Sequence, residues 1–292
     1  MRYYFNERRE KDRNGYTDLA VERRRADTNI RGVEYTSCEC AVGIWERIRI
    51  ISEEGARSIN RPIGRYDTLN LGRMDLLSDE EILDAGEEIA KKLCETVDGT
   101  SASPERILVV GLGNRNLTPD SIGPKTAAQV KPTLHIKEFD EDMFDSLECS
   151  EIAVLCPGVT AESGMEASEV IRGVCRRLLP DVIIAVDAIA TCSKERLGTT
   201  VQISDTGLFP GSGVGNYRNA LTEESIGIPI IAIGVPTVID SRIFSLGDSD
   251  EKVPYSEESM LVSPKEIDEI TNVAAEIIGG AINQAFGISS YC

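Results

Sequence analysis

The sequence predicts an α/β fold, a mostly parallel, twisted sheet sandwiched between helices. Three observations carry this. Short runs that are apolar throughout recur at Ile107 to Val110, Ile152 to Cys156, Val182 to Val186, Thr200 to Ser204 and Ile230 to Ile233, the pattern of strands buried on both faces. Helical patterns over 121–130, 163–178 and 264–285 separate them, as in sheets covered by crossover helices. The 292 residues, without internal repeat or low-complexity stretch, suffice for one large core.

Residues 1–16 are charged and poor in aliphatic side chains, which predicts a poorly packed extension. From 30 to 75 the pattern is mixed, with a strand expected at Ala41 to Ile50 and turns at Gly55 and Gly64. Ser78 precedes DEEILDAGEEIAKKLCETV; a capping hydroxyl, an acidic first turn and apolar residues at helical spacing predict a helix ending near Gly99. Residues 241–262 are polar and read as a surface excursion before the last helix.

The formal charge of −18 argues against direct nucleic-acid binding. The opening MRYYFNERRE lacks an apolar signal core, and Ile228 to Ile239 is too short and Pro-interrupted to span a bilayer, so a cytoplasmic protein with no membrane contact is expected. Eight cysteines without a CxxC pair read as reduced, mostly core thiols. The single histidine, His135, leaves little room for a Ser-His-Asp triad or a multi-histidine metal site. No metal or cofactor is expected, and acid–base chemistry falls to other side chains.

The stretch VVGLGNRNLTPDSIGPK, Val109 to Lys125, resembles a nucleotide loop only superficially. Asn116 stands where a third glycine belongs, and Pro119 and Asp120 delay the helix. PGSGVGN, Pro210 to Asn216, lacks the Lys-Ser/Thr ending of a phosphate loop; Gly211 and Gly213 read as a tight turn, or as a backbone wall that an extended peptide approaches closely.

Asp187 closes the run VIIAVD and is expected at the carboxyl end of a central strand, with Asp120 leaving a neighbouring strand-to-helix loop at the same edge. Two close carboxylates share a proton, so one acts as acid while the other activates water. The plainer alternative makes Asp120 a helix cap and ties Asp187 to nearby amides. Asp240 ends PTVID at the same edge and is a candidate groove residue; Asp181 reads as a turn residue at the opposite edge. Asn114, Ser212 and Asn216 would bond a substrate backbone or their own loops. Lys125 would lower a carboxylate's pKa or face solvent.

Six blocks, YTDLAVE (from Tyr16), VVGLGNRNLTPDSIGPK, CPGVTAESGMEASEVIRGV, PDVIIAVDAIAT, VQISDTGLFPGSGVGN and IPIIAIGVPTVID, closely resemble in order those of the germination protease of endospore-forming bacteria. The resemblance runs from about residue 16 to 285. It implies a fold similar to the hydrogenase-maturation proteases, an endopeptidase that degrades small acid-soluble spore proteins, a homotetramer, and synthesis as a zymogen in the forespore. It places the family's proposed catalytic aspartates on Asp120 and Asp187. It also implies removal of a propeptide, residues 1–18, by a cut between Asp18 and Leu19, leaving 19–292 as one peptidase domain. The acidic-then-apolar TDLAVE would then sit in the site as a pseudo-substrate. The short polar link between Asp240 and Val262 replaces a long insert of other members, which bears on the subunit contacts.

Two alternatives remain at this stage. A nickel-reading, hydrogenase-maturation-type protease shares GLGN and the following acid, but needs a histidine that His135 is badly placed to supply. A non-catalytic protein gripping extended peptides in a glycine-lined groove would leave its substrate whole.

Overall fold

The computed structural model describes residues 17–24, 29–100, 104–209, 220–245 and 260–288. In chain order the elements are α1 (Ala20–Arg23), β1 (Val33–Cys40), β2 (Gly43–Ile50), α2 (Glu53–Ile59), β3 (Gly64–Asn70), α3 (Asp79–Thr100), β4 (Arg106–Gly111), α4 (Ile122–Gln129), α5 (Leu134–Phe139) and α6 (Glu141–Ser146). There follow β5 (Glu151–Leu155), α7 (Thr160–Ser163), α8 (Ala167–Leu178), β6 (Val182–Thr191), β7 (Thr200–Ser204), α9 (Glu223–Ile226), β8 (Ile230–Asp240), β9 (Leu261–Val262) and α10 (Ile267–Ala285).

The strands form a single sheet in the order β1-β2-β3-β7-β8-β6-β4-β5, with β9 paired to the end of β8. Four of the five apolar runs build its parallel part, β8-β6-β4-β5; the fifth, β7, pairs antiparallel with β8 and β3, so the sheet is mixed and not mostly parallel as expected. Their alternation divides two cores, as a period of two requires. Ile107, Val109, Ile184 and Val186 pack with Ile89 and Leu93 of α3 and Ile278 and Ile282 of α10. Leu108, Val110, Ile183 and Ala185 pack with Ile171 and Cys175 of α8. Each Ile or Leu fully removed from water contributes roughly 1.5–3 kcal/mol, and many of these are completely buried.

The chain from 30 to 75 adds an antiparallel half, β1-β2-β3, joined through β7, of which only β2 is legible beforehand. Edge strand β1, VEYTSCEC, has no buried side chain, and β3 carries Arg65 and Asp67 among its residues, so neither shows an apolar signal. The helix expected over 163–178 breaks at Gly164, whose φ of +74° ends α7. The Ser78 cap is present: its amide and hydroxyl donate to Glu81 (2.8 and 2.7 Å).

A further expectation is corrected. Asp187 does not end its strand. The apolar and β-branched AIAT after it continues β6 to Thr191, paired with β8 as far as Ile239. β4 stops pairing at Val186, so Asp187 lies just past the end of β4 yet inside β6.

Glu46 of β2 ties this antiparallel half to the loop after β6. It accepts from Arg196 Nη2 (2.6 Å), Asn70 Nδ2 (2.6 Å) and Tyr35 Oη (2.9 Å). Burial alone would raise its pKa; the bonds from Arg196, Asn70 and Tyr35 outweigh it and hold the carboxyl below its ordinary value. A depressed carboxyl stabilises the fold above its unfolded pKa, and that stability is lost as pH falls through the folded one. Glu46→Gln is therefore expected to cost about 1–3 kcal/mol at neutral pH. In urea titrations the difference from wild type should shrink below about pH 4.5; a pH-independent difference would contradict this account.

Candidate active site

The site begins with one row across the sheet. Asp187 of β6 pairs with Gly234 of β8, which pairs with Gln202 of β7. Paired residues share a face, so Asp187 and Gln202 project to the same side, about 10 Å apart at two strand spacings. Gly234 between them has no side chain, and a Cβ there would come within 2.8 Å of Ile189. The gap is a cavity lined by these residues with Tyr66, Ser204, Thr206 and Phe209. Asp187 is buried, and its Oδ1 accepts from the amide of Ala188 (2.9 Å). Tyr66 donates to the carbonyl of Pro62 (3.0 Å), and burial pushes its pKa up to about 12, so it stays protonated near neutral pH.

Asp18 lines the same cavity, because the segment Thr17–Arg23 is docked over β6 and β7. Its anchor is apolar. Leu19 and Ala20 are fully buried and pack with Ile48, Ile50, Ile59, Tyr66 and Ile189. The backbone follows: Asp18 N donates to Ala190 O (2.9 Å), and Ala190 N donates to Asp18 Oδ2 (2.9 Å). Gln202 brackets Leu19, its Oε1 accepting from Ala20 N (2.9 Å) and its Nε2 donating to Asp18 O (3.3 Å). Leu19 N donates to Thr17 Oγ1 (3.1 Å). Both polar atoms of the Asp18–Leu19 peptide are thus engaged.

Glu22 fastens the far side. It accepts from the hydroxyls of Thr17 and Thr191, and from Cys192 N (2.9 Å) and Sγ (3.0 Å). Burial, reinforced by Glu22, pushes the Cys192 thiol far up, so it remains a donor and not a nucleophile.

The glycine-rich stretch serves close packing. A Cβ on Gly111 would meet Gly123 O at 2.3 Å, and one on Gly123 would meet Leu112 O at 2.1 Å and Val186 O at 2.5 Å. The start of α4 therefore lies directly on β4 and β6. Gly113, at φ +109°, turns the loop so that Asp120 follows in a 3-10 turn, Thr118–Asp120, packed on β6, β8 and α10. Asp120 Oδ2 accepts from Asn114 N (2.8 Å), while Asn114 Oδ1 accepts from Asn116 N (2.8 Å).

The structure brings Asp187 and Asp18 together in the cavity and sets the turn of Asp120 against the strand that carries Asp187; Asp120 is not among the cavity-lining residues. Asp240 is buried and paired with Arg242 (Nε to Oδ1, 2.9 Å), and it too is absent from the lining. Asp181 bonds the amides of Glu105 and Arg106 (3.0 and 2.8 Å), so it ties the start of β6 to the start of β4 and does not close a local turn. Lys125 Nζ donates to Thr271 Oγ1 (2.7 Å). His135 is exposed on α5 and outside the cavity. Gly211, Ser212, Gly213 and Asn216 lie outside the described residues.

Sequence reasoning missed Arg61, Gln202 and Glu22. Gln202 carried a readable signal, a polar residue inside the apolar TVQIS; Arg61, in NRPIG, carried none.

A family model described as germination protease matches residues 13–249. Relatives named germination protease include one from Caldanaerobacter subterraneus subsp. tengcongensis, 36% identical over 92% of this chain and 93% of its own. One from Clostridium perfringens is 35% identical over 92% and 94%. One from Priestia megaterium is 40% identical over 77% of this chain and 61% of its own. Among solved structures, the [NiFe] hydrogenase maturation protease HycI from Thermococcus kodakarensis aligns over 66% of this chain and 99% of its own, with a TM-score of 0.38 and 20% identity.

Proposed function

The chain belongs to the germination protease family, and from that premise we propose that it is a self-processing spore endopeptidase that cuts its own Asp18–Leu19 bond and then degrades small acid-soluble spore proteins. The observation that carries this reading is the docked segment: Asp18, on the acyl side of the bond in question, lines the cavity that Asp187 lines, and both polar atoms of the bond are held. Such preorientation is what peptide hydrolysis needs of its substrate.

The chemistry is that of a carboxylate pair, Asp187 and Asp120. One holds the attacking water and takes its proton; the other, protonated, donates to the Leu19 nitrogen as the bond breaks. The pair must retain one proton, so acid favours it. Residues 1–18 are the propeptide, and the protein is a homotetramer made as a zymogen in the forespore, as the family resemblance implies.

The test is intact mass after mild acidification of the purified full-length chain. Loss of the mass of residues 1–18, faster at pH 5–6 than at neutral pH, is expected; a chain that stays whole at every pH would overturn the zymogen reading.

A further inference from the structure

Resting on that reading, we propose that Arg61 and Gln202 form the subsite that chooses and holds the peptide to be cut: Arg61 selects an acidic residue on the acyl side of the bond, and Gln202 grips the backbone on both sides of it.

Arg61 is aimed by the end of α2. Asn60 caps that helix in the left-handed region (φ 50°), turning the chain so that the next side chain enters the cavity. Arg61 Nη2 donates to Thr17 O (2.6 Å) and lies 3.5 Å from Asp18 Oδ1, with both side chains largely out of water. Among the described residues its Nε is buried without a hydrogen-bond partner. Burial depresses its pKa, and Asp18 acts in the opposite direction. When the acyl-side product departs after the cut, it takes away both Asp18 and the Thr17 carbonyl. Arg61 is then a half-enclosed cation whose ion-pair partner has gone. Restoring a carboxylate is strongly favoured there, whereas a neutral side chain leaves the charge uncompensated. Selection for an acid follows from the electrostatics of the emptied subsite.

Gln202 supplies what Arg61 does not. It is itself buried, and a buried amide without partners is costly. Its two bonds go to backbone groups, the carbonyl of the bond to be cut and the amide N–H of Ala20. Those partners fix which end of the amide is oxygen and which is nitrogen. Every extended peptide presents the same pair, so this grip sets register without reading sequence. The Nε2 donor also sits at the oxygen on which charge develops during attack, where a bond strengthens toward the transition state.

The experiment uses the acid-processed full-length protein and two peptides that differ only in having Asp or Asn before the cut bond. Wild type is expected to cut the Asp peptide at least about 10-fold faster in kcat/KM. Arg61→Gln should bring the two rates within about two-fold, by loss on the Asp peptide alone, and Arg61→Lys should keep part of the preference. Gln202→Ala should lower kcat on both peptides by about 10–100-fold and leave their ratio intact. Asp18→Asn, which leaves every residue of the processed domain unchanged, should slow processing of the full chain by a factor similar to the wild-type peptide preference; it covers the case in which an Arg61 variant does not fold. An unchanged Asp-to-Asn ratio in Arg61→Gln, or unslowed processing in Asp18→Asn, would overturn the assignment while the peptidase reading stands. Wild type that cut neither peptide nor itself would overturn that reading, and this assignment with it.

Discussion

Asp187→Asn is expected to abolish release of residues 1–18, lowering the rate by at least about 10³-fold, with the folded structure preserved. Loss of a positioned general acid or base alone costs about 10²–10⁴, and an amide can neither share a proton with Asp120 nor accept one from water. The structure keeps the substitution from acting through the fold. Asn has the shape of Asp, and its oxygen still accepts from Ala188 N as Oδ1 does now. The docked segment is held by Gln202, Ala190, Arg61 and Glu22, none of which the change removes. Intact mass after acidification measures the rate, and a thermal melt within a few degrees of wild type establishes that the protein is folded. Processing at the wild-type rate would remove Asp187 from the mechanism and the dyad with it.

The largest effect on stability is expected at Gly123. Its neighbours at 2.1–2.5 Å from an added Cβ are all backbone atoms, Leu112 N and O and Val186 O, and backbone cannot rotate aside as a side chain does. Gly123→Ala must push α4 off β4 and β6, where Ile122 and Ala127 are buried. Overpacking of this kind costs about 1–3 kcal/mol or more. We expect about 3 kcal/mol, a fall in Tm of about 5–10 °C, and slower processing, because the turn bearing Asp120 adjoins the displaced helix. Gly280 is the internal comparison: it lies within α10, and an added Cβ meets nothing within 4 Å. Gly280→Ala is expected to stabilise by about 0.5–1 kcal/mol. Equal and small effects at both positions would refute the close-packing account of the glycine-rich stretch.

The parallel half of the sheet was legible because its strands are buried on both faces and so are apolar at every position. β1 and β3 were not, since an exposed edge and a strand bearing paired charges show no alternation. Asp187 was legible as a lone acid after VIIAV, but its place within the strand was not: whether AIAT continues a strand depends on β8 lying alongside. Arg61 was beyond reach, and Gln202 readable only as an odd polar residue, for a different reason. Their significance lies in contacts with Asp18 and Ala20, and Gln202 is 182 positions from Ala20 in the chain; only the folded sheet brings such residues together. Local chemistry was easier to anticipate, as with the Ser78 cap, whose partner Glu81 is three residues away.

The docking of Thr17–Arg23 against strands of its own chain has a kinetic consequence. A bond held by its own active site meets that site at an effective concentration set by the tether and not by the solution. On the proposed reading, maturation is a first-order clock: its half-life at a given pH is the same in a crowded spore and after thousand-fold dilution. Acidity, and not abundance, then sets the moment at which the enzyme appears.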